Sequence, residues 1–200
     1  MKTTPSIKVL YNAPLIRTLL QQELTNLLKF ASPEQHIVVI CIGTDRSTGD
    51  SLGPLVGSAL EKYRSSFMHV YGTIAEPVHA LNLSDTLEHV KQQFANPYII
   101  GIDACLGQAS SVGCIQAGLG PVRPGAGVNK ELPPVGDMHI TGVVNVGGFM
   151  EYFVLQNTRL HLVISMSDII AQCLYHAISR HIRSVGQAEA EQPSTLTRSN

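Results

Sequence analysis

Apolar residues along this chain fall into two kinds of stretch that alternate, short continuous runs and longer amphipathic ones. The first amphipathic stretch, PLIRTLLQQELTNLLKF, places Leu15, Leu19, Leu20, Leu24, Leu27 and Leu28 near one stripe with polar residues opposite, which predicts a helix over about residues 13–30. HIVVICIG is a short unbroken apolar run rich in Val and Ile, the pattern of a strand buried on both faces of a parallel sheet. The loop TDRSTGDSLG leads from it into PLVGSALEKY, where Leu55, Val56, Ala59 and Leu60 take helical spacing. MHVYGTI then reads as a second strand and LSDTLEHVKQQF as a second helix of this unit, with Asn82 or Ser84 as its cap. NPYIIGIDA supplies a third strand ending at Asp103, and VGCIQAGLG a fourth. A Pro- and Gly-dense loop over residues 120–142 follows, of a length that is usually functional or disordered. VVNVGGFMEYFVLQ is ambiguous between strand and helix, LHLVISM reads as a fifth strand, and SDIIAQCLYHAISRHI as a terminal helix capped by Ser165 or Ser167. The polar end, GQAEAEQPSTLTRSN, has little to bury and is expected to be disordered.

Strands alternating with helices predict a three-layer α/β fold, a mostly parallel doubly wound sheet with helices on both faces. The expected organisation is an N-terminal segment with its amphipathic helix over 1–35, an α/β domain over 36–183 and a tail over 184–200. Such sheets bind ligands outside the carboxyl ends of their strands, where strand order reverses. With the common order 2-1-3, the switch lies between the first and third predicted strands, and Asp50 and Asp103 share its rim.

Length and composition narrow the function classes. Two hundred residues suit one core with tails. A net charge of -1, from 14 basic and 15 acidic side chains, provides no field to recruit nucleic acid or an anionic membrane. The opening MKTTPSIKVLYNAP lacks the apolar core of a signal peptide, and no later stretch reads as a bilayer span, so a cytoplasmic location is expected. The four cysteines form no C-x-x-C pair and are expected as reduced, structural thiols.

Two carboxylates facing one another can share a proton, one acting as base and the other as acid, which suits activation of water for attack on a peptide carbonyl. Asp50 reads equally as a helix N-cap or as one of this pair. Asp103 follows apolar YIIGI, where an acid is costly unless paired or used. His139, in GDMHITG at the end of the long loop, can complete an O, O, N set for a divalent metal, or simply lie exposed. Asp45 and Asp137 are alternative acids, most simply solvated. Arg123, Asn129 and Lys130 can donate to a substrate carbonyl or carboxylate, and equally can be solvated loop residues. No G-x-G-x-x-G or G-K-[ST] motif is present, Cys105 has no histidine tied to it, and Ser47, Ser51, Ser110 and Ser111 lack a nucleophile-elbow context.

The segments CIGTDRSTGDSLGP, AEPVHALNLSDTLEHV, IIGIDACLG and PGAGVNKEL occur in an order similar to that of the germination protease of spore formers, and residues 36–183 resemble the YyaC family of sporulation proteins. The resemblance implies an endopeptidase fold of the phosphorylase/hydrolase-like type, with Asp50 and Asp103 catalytic. Hydrogenase-maturation endopeptidases are more distantly similar, with acids matching Asp50 and Asp103 and a histidine matching His139 near Gly142. That likeness implies a divalent metal, nickel in those relatives, at Asp50, Asp103 and His139. The chain departs from the germination protease in length and in IDACLGQAS, where an arginine is missing. Expected partners are a protein or peptide substrate, spore proteins among them, and a second copy of the chain. The alternatives are a catalytically inactive peptide- or protein-binding sporulation factor and a small-molecule hydrolase on the same scaffold.

Overall fold

A computed structural model describes residues 6–63, 67–125 and 132–190, with side chains through 184. Strand β1 (Ile7–Leu10) opens the chain, followed by helix α1 (Ile16–Leu27) and a 3-10 turn (Leu28–Phe30). Strand β2 (Ile37–Cys41) leads through a 3-10 turn (Gly49–Ser51) into α2 (Leu52–Glu61). Next come β3 (Met68–Tyr71), α3 (Leu83–Gln93), β4 (Tyr98–Gly107), β5 (Cys114–Leu119), β6 (Met138–Val146), α4 (Glu151–Gln156) and α5 (Leu160–Ala190). The strands form one sheet in the order β1-β5-β6-β4-β2-β3. The β3-β2-β4-β6 portion is parallel, and β5 and β1 add antiparallel pairings at the other side. Three layers result, and the order 2-1-3 expected for the first three predicted strands is met by β3-β2-β4.

Alternation along β2 shows why its whole sequence is apolar. Ile37, Val39 and Cys41 enter one core with α1, α2 and α5, whereas Val38, Ile40 and Ile42 enter a second with Leu83, Leu87 and Val90 of α3. Strand β1 pairs with β5, and Leu20, Leu24 and Leu27 of α1 bury in the first core, so β1 and α1 share the sheet and core of the rest.

Several elements differ from the sequence expectation. Helix α1 buries Ile16, Leu20, Leu24 and Leu27, while Leu15 sits at its N-cap in the left-handed region, exposed with Leu19. LHLVISM is the first two turns of α5, where Val163 and Met166 join the same buried stripe as Ile170 and Leu174. Ser167 caps nothing, its Oγ donating to the Ile164 carbonyl within the helix. Leu160–Ser184 is also long and apolar enough to cross a bilayer by length and composition, contrary to the sequence reading, yet its apolar stripe packs against α1 and α2. MHITGVVNV, assigned to the long loop and to an ambiguous stretch, is β6, and only Glu151–Gln156 of that stretch is helical. Helix α5 continues to Ala190, into the expected tail; residues 191–200 lie outside the described residues.

Candidate active site

Strand β2 stops pairing with β4 at Cys41, opposite Ile102, while β4 continues beside β6 to Gly107. Asp103 is therefore not the end of its strand, as its sequence suggested, but the first residue of the part that β2 leaves uncovered. Apolar Ile100 and Ile102 point into the first core, and the alternate positions Gly101, Asp103 and Cys105 fall on the opposite face. There, residues 121–125 and 132–135 flank β4 and β6, pinned by reciprocal Val122 and Val135 backbone hydrogen bonds of 2.9 Å. Between these segments and the strand ends lies a cavity of about 580 Å³, lined by Asp50, Asp103, His139, Arg123, Thr141 and His79 among others.

Asp50 reaches it from the turn after β2. Helix α2 begins at Leu52 with Ser51 at its N-cap, and no side chain caps it. Asp50 thus has no capping duty; its backbone carbonyl accepts from Thr44 N–H at 3.1 Å, and its carboxyl is half-buried. Desolvation raises its pKa, opposed by the nearby Ser47 hydroxyl. That hydroxyl is buried without a well-aligned hydrogen-bond partner. Asp103 is raised well above the usual carboxylate range, first by desolvation and then by the charge of Asp50, with the Ala104 N–H at 2.8 Å opposing. The two acids line one cavity and the charge of Asp50 disfavours ionisation of Asp103, so of the two Asp103 is the more strongly held in its protonated form.

His139 is a buried strand residue, not a loop residue, flanked by Gly101 of β4 and Gly118 of β5. Its Nδ1 lies 2.9 Å from the Gly120 carbonyl. A carbonyl only accepts, so Nδ1 carries the hydrogen, and in the neutral ring Nε2 is left as an acceptor. Thr141, two residues on and facing the same way, lies opposite Asp103 in the register. Although Asp50, Asp103 and His139 line one cavity, no three His, Cys, Asp or Glu side chains among the described residues are arranged to hold a metal ion. The donor set expected from the sequence is thus brought to one cavity without forming a ligand cluster.

Arg123 is exposed at the cavity lining, and Asn129 and Lys130 lie outside the described residues. Asp45 is exposed, as expected. Asp137 is a structural fastener, its Oδ2 accepting from Ile99 N–H at 2.8 Å. Burial, then the charge of Asp103, pushes the Cys105 thiol up to about 11, which leaves little thiolate at neutral pH. Iodoacetamide at pH 7.5 is therefore expected to label Cys105 about 100-fold more slowly than an unperturbed thiol, as followed by intact mass. Labelling at the free-thiol rate would contradict this account.

His79, Thr141 and Ser47 were not singled out by sequence reasoning as members of the acidic site. Thr141 becomes visible once MHITG is read with a period of two, because it must share a face with His139. No local pattern marks His79.

The family described as "Protein of unknown function (DUF1256)" matches residues 8–173. "Uncharacterized protein YyaC" of Bacillus subtilis (strain 168) is 59% identical over 138 residues, 69% of this chain and 67% of that protein. Among solved structures, the NiFe hydrogenase maturation protease HycI of Thermococcus kodakarensis KOD1 is similar over 76% of this chain and 99% of its own, at 14% identity and a TM-score of 0.49. On the strength of the match over residues 8–173 and the identity with YyaC, the chain belongs to the DUF1256 family.

Proposed function

We infer that this protein is a sporulation-associated endopeptidase that hydrolyses peptide bonds with Asp50 as base and Asp103 as acid. The observation that supports this reading is the coupled pair of half-buried carboxyls lining one cavity, with Asp103 the more strongly held in its protonated form. Asp50 takes a proton from water as its oxygen attacks the carbonyl carbon. Asp103 gives its proton to the leaving nitrogen as the C–N bond breaks, and proton exchange through water resets the pair. An acyl carbon needs one base and one acid in this sequence, and the unequal environments supply one of each.

A peptide is favoured over a small polar substrate by the surface beside the cavity. Tyr152 and Leu155 of α4 line it, and Phe149, Met150 and Phe153 next to them are exposed, Phe149 to 85%. A run of exposed aromatic side chains leading into a site suits apolar side chains of an extended chain. The same patch favours the second reading, a peptide- or protein-binding sporulation factor without turnover.

The test incubates the full chain with spore protein extract and with a mixed peptide library, and maps new termini by mass spectrometry. Samples with chelator and with added divalent metals read any metal requirement separately. New termini with the natural chain and none with the Asp50→Asn, Asp103→Asn double variant are expected. Peptide binding without cleavage, unchanged in that variant, would replace the peptidase reading with the binding one.

A further inference from the structure

The peptidase reading needs one more group, a fixed donor, and Arg123, the lining residue the sequence offered for it, is exposed. As water attacks, the carbonyl oxygen gains negative charge, and an enzyme of this kind gains much of its rate from a fixed donor aimed at that oxygen. Neither acid meets this need, since one is spent on the water and the other on the leaving nitrogen. Neutral His139 does not meet it either, because in that ring Nδ1–H is committed to Gly120 and Nε2 has no hydrogen.

His79 has the opposite arrangement. Its Nδ1 accepts the backbone N–H of Leu81 at 3.3 Å, so in the neutral ring the hydrogen must sit on Nε2. The residue is held firmly. Its N–H donates to Asn82 Oδ1 at 2.7 Å, and its carbonyl accepts from the N–H groups of Asn82 at 3.1 Å and Leu83 at 2.9 Å. Asn82 Nδ2 in turn donates to the Pro77 carbonyl at 3.0 Å, so the side chain at the start of α3 fastens the turn before it instead of capping the helix.

This turn is fixed to the acidic site through the backbone. Gly43 N–H donates to the Val78 carbonyl at 2.8 Å, and the next residue, Thr44, donates to the Asp50 carbonyl at 3.1 Å. His79 and Asp50 therefore stand on either side of one two-residue link, and both line the cavity with Asp103. The backbone position and, through the Leu81 N–H, the tautomer of the neutral ring are set before any substrate arrives, which suits a donor that stabilises developing charge without reorganising.

We propose that His79 is a catalytic residue of this site, its Nε2–H hydrogen-bonding the scissile carbonyl oxygen as charge builds on it. The step balances without a change at His79. Water oxygen bonds to the carbonyl carbon, its proton passes to Asp50, and the carbonyl electron pair moves onto the oxygen that His79 holds. The pair then re-forms the carbonyl as the C–N bond breaks and Asp103 protonates the nitrogen. A neutral imidazole serves as electrophile here, with no proton transferred from it.

The inference rests on the peptidase reading, and two measurements separate their fates. Ring nitrogen NMR of the full-length chain reads the tautomer without any substrate: hydrogen on Nε2 of His79 and on Nδ1 of His139 is expected, and hydrogen on Nδ1 of His79 overturns the proposal. Kinetics use whichever library peptide the natural chain cleaves fastest. His79→Ala is expected to lower kcat by roughly 10²–10³-fold with KM changed less than about threefold, the range for losing one such donor. His79→Gln, whose amide nitrogen reaches close to the place of Nε2, is expected to recover at least about tenfold of that loss. A merely structural residue would instead lower the melting temperature and raise KM in both variants. Full kcat in His79→Ala, with Asp50→Asn and Asp103→Asn inactive, overturns the role of His79 and leaves the peptidase reading standing. No cleavage by the natural chain ends both.

Discussion

Replacing Asp103 by Asn is expected to lower kcat for peptide hydrolysis by roughly 10³-fold and, at the same time, to raise the melting temperature at neutral pH. The loss follows from the role: the amide has no acidic proton for the leaving nitrogen, while its carbonyl oxygen can still accept the Ala104 N–H, so the strand is undisturbed. The gain follows from linkage. Asp103 has a folded pKa well above its unfolded value of about 3.9, so the native state binds the extra proton. Its contribution to stability is fully present below about pH 3.9 and is lost as pH rises through the folded pKa. Asp50 is raised as well and adds a slope of the same sign. Burial lowers the His181 pKa, which has the reverse effect as pH falls, but that term is common to both proteins and cancels in their difference. Melting curves from pH 4.5 to 7.5 should therefore show the advantage of Asp103→Asn growing with pH. A constant difference across that range, or unchanged turnover, would remove Asp103 from the acid role.

What could be read in the sequence was set by how each segment is buried. Strand β2 is apolar at every position because both its faces are covered, so the run itself announced a central strand, and the acid-bearing loop after it followed. LHLVISM has the same look for a different reason. It is a buried stretch of helix, and a short apolar run cannot be distinguished from a strand by periodicity. Its continuity with residues 167–182, interrupted at the junction only by Ser165, Ser167 and Asp168, is the feature that would have joined the two. Strand β6 escaped because Gly142 sits within it, where a Cβ would press on Leu52 and Met166, and because His139 and Thr141 face a cavity and not the core. A strand with one face in the core and the other in a site presents few apolar residues to any pattern. Strand β1 is four residues long with alternating exposure, too short to stand out. At the site, the two acids were legible because charge beside apolar runs is conspicuous, whereas His79 depends on a tautomer fixed by a backbone amide two residues away, which no spacing expresses.

Gly43→Ala tests how tightly the backbone around Asp50 is built. Gly43 has φ +145, in the region that side chains avoid, and a Cβ there would run into the Asp50 carbonyl oxygen and lie 2.9 Å from Pro54 Cδ. The neighbouring backbone cannot move away freely, since Gly43 N–H holds Val78 and Thr44 N–H holds Asp50. Strain at φ of about 1–3 kcal/mol and overpacking of about 1–3 kcal/mol together predict a destabilisation of about 4 kcal/mol, which lowers the melting temperature of a domain this size by roughly 10 °C. Gly148 is the control: its φ is +136 and nothing lies within 4 Å of a built Cβ, so Gly148→Ala should show the strain alone, about 1 kcal/mol or a little more. Where Gly43→Ala remains folded, turnover should fall by about 100-fold, because two of the three atoms the new Cβ would meet belong to the Asp50 backbone, and an error of about 1 Å in a reacting group has that effect. Equal melting temperatures for the two variants would mean that the turn after β2 yields easily. The placement of Asp50 would then have to come from the substrate and not from the fold.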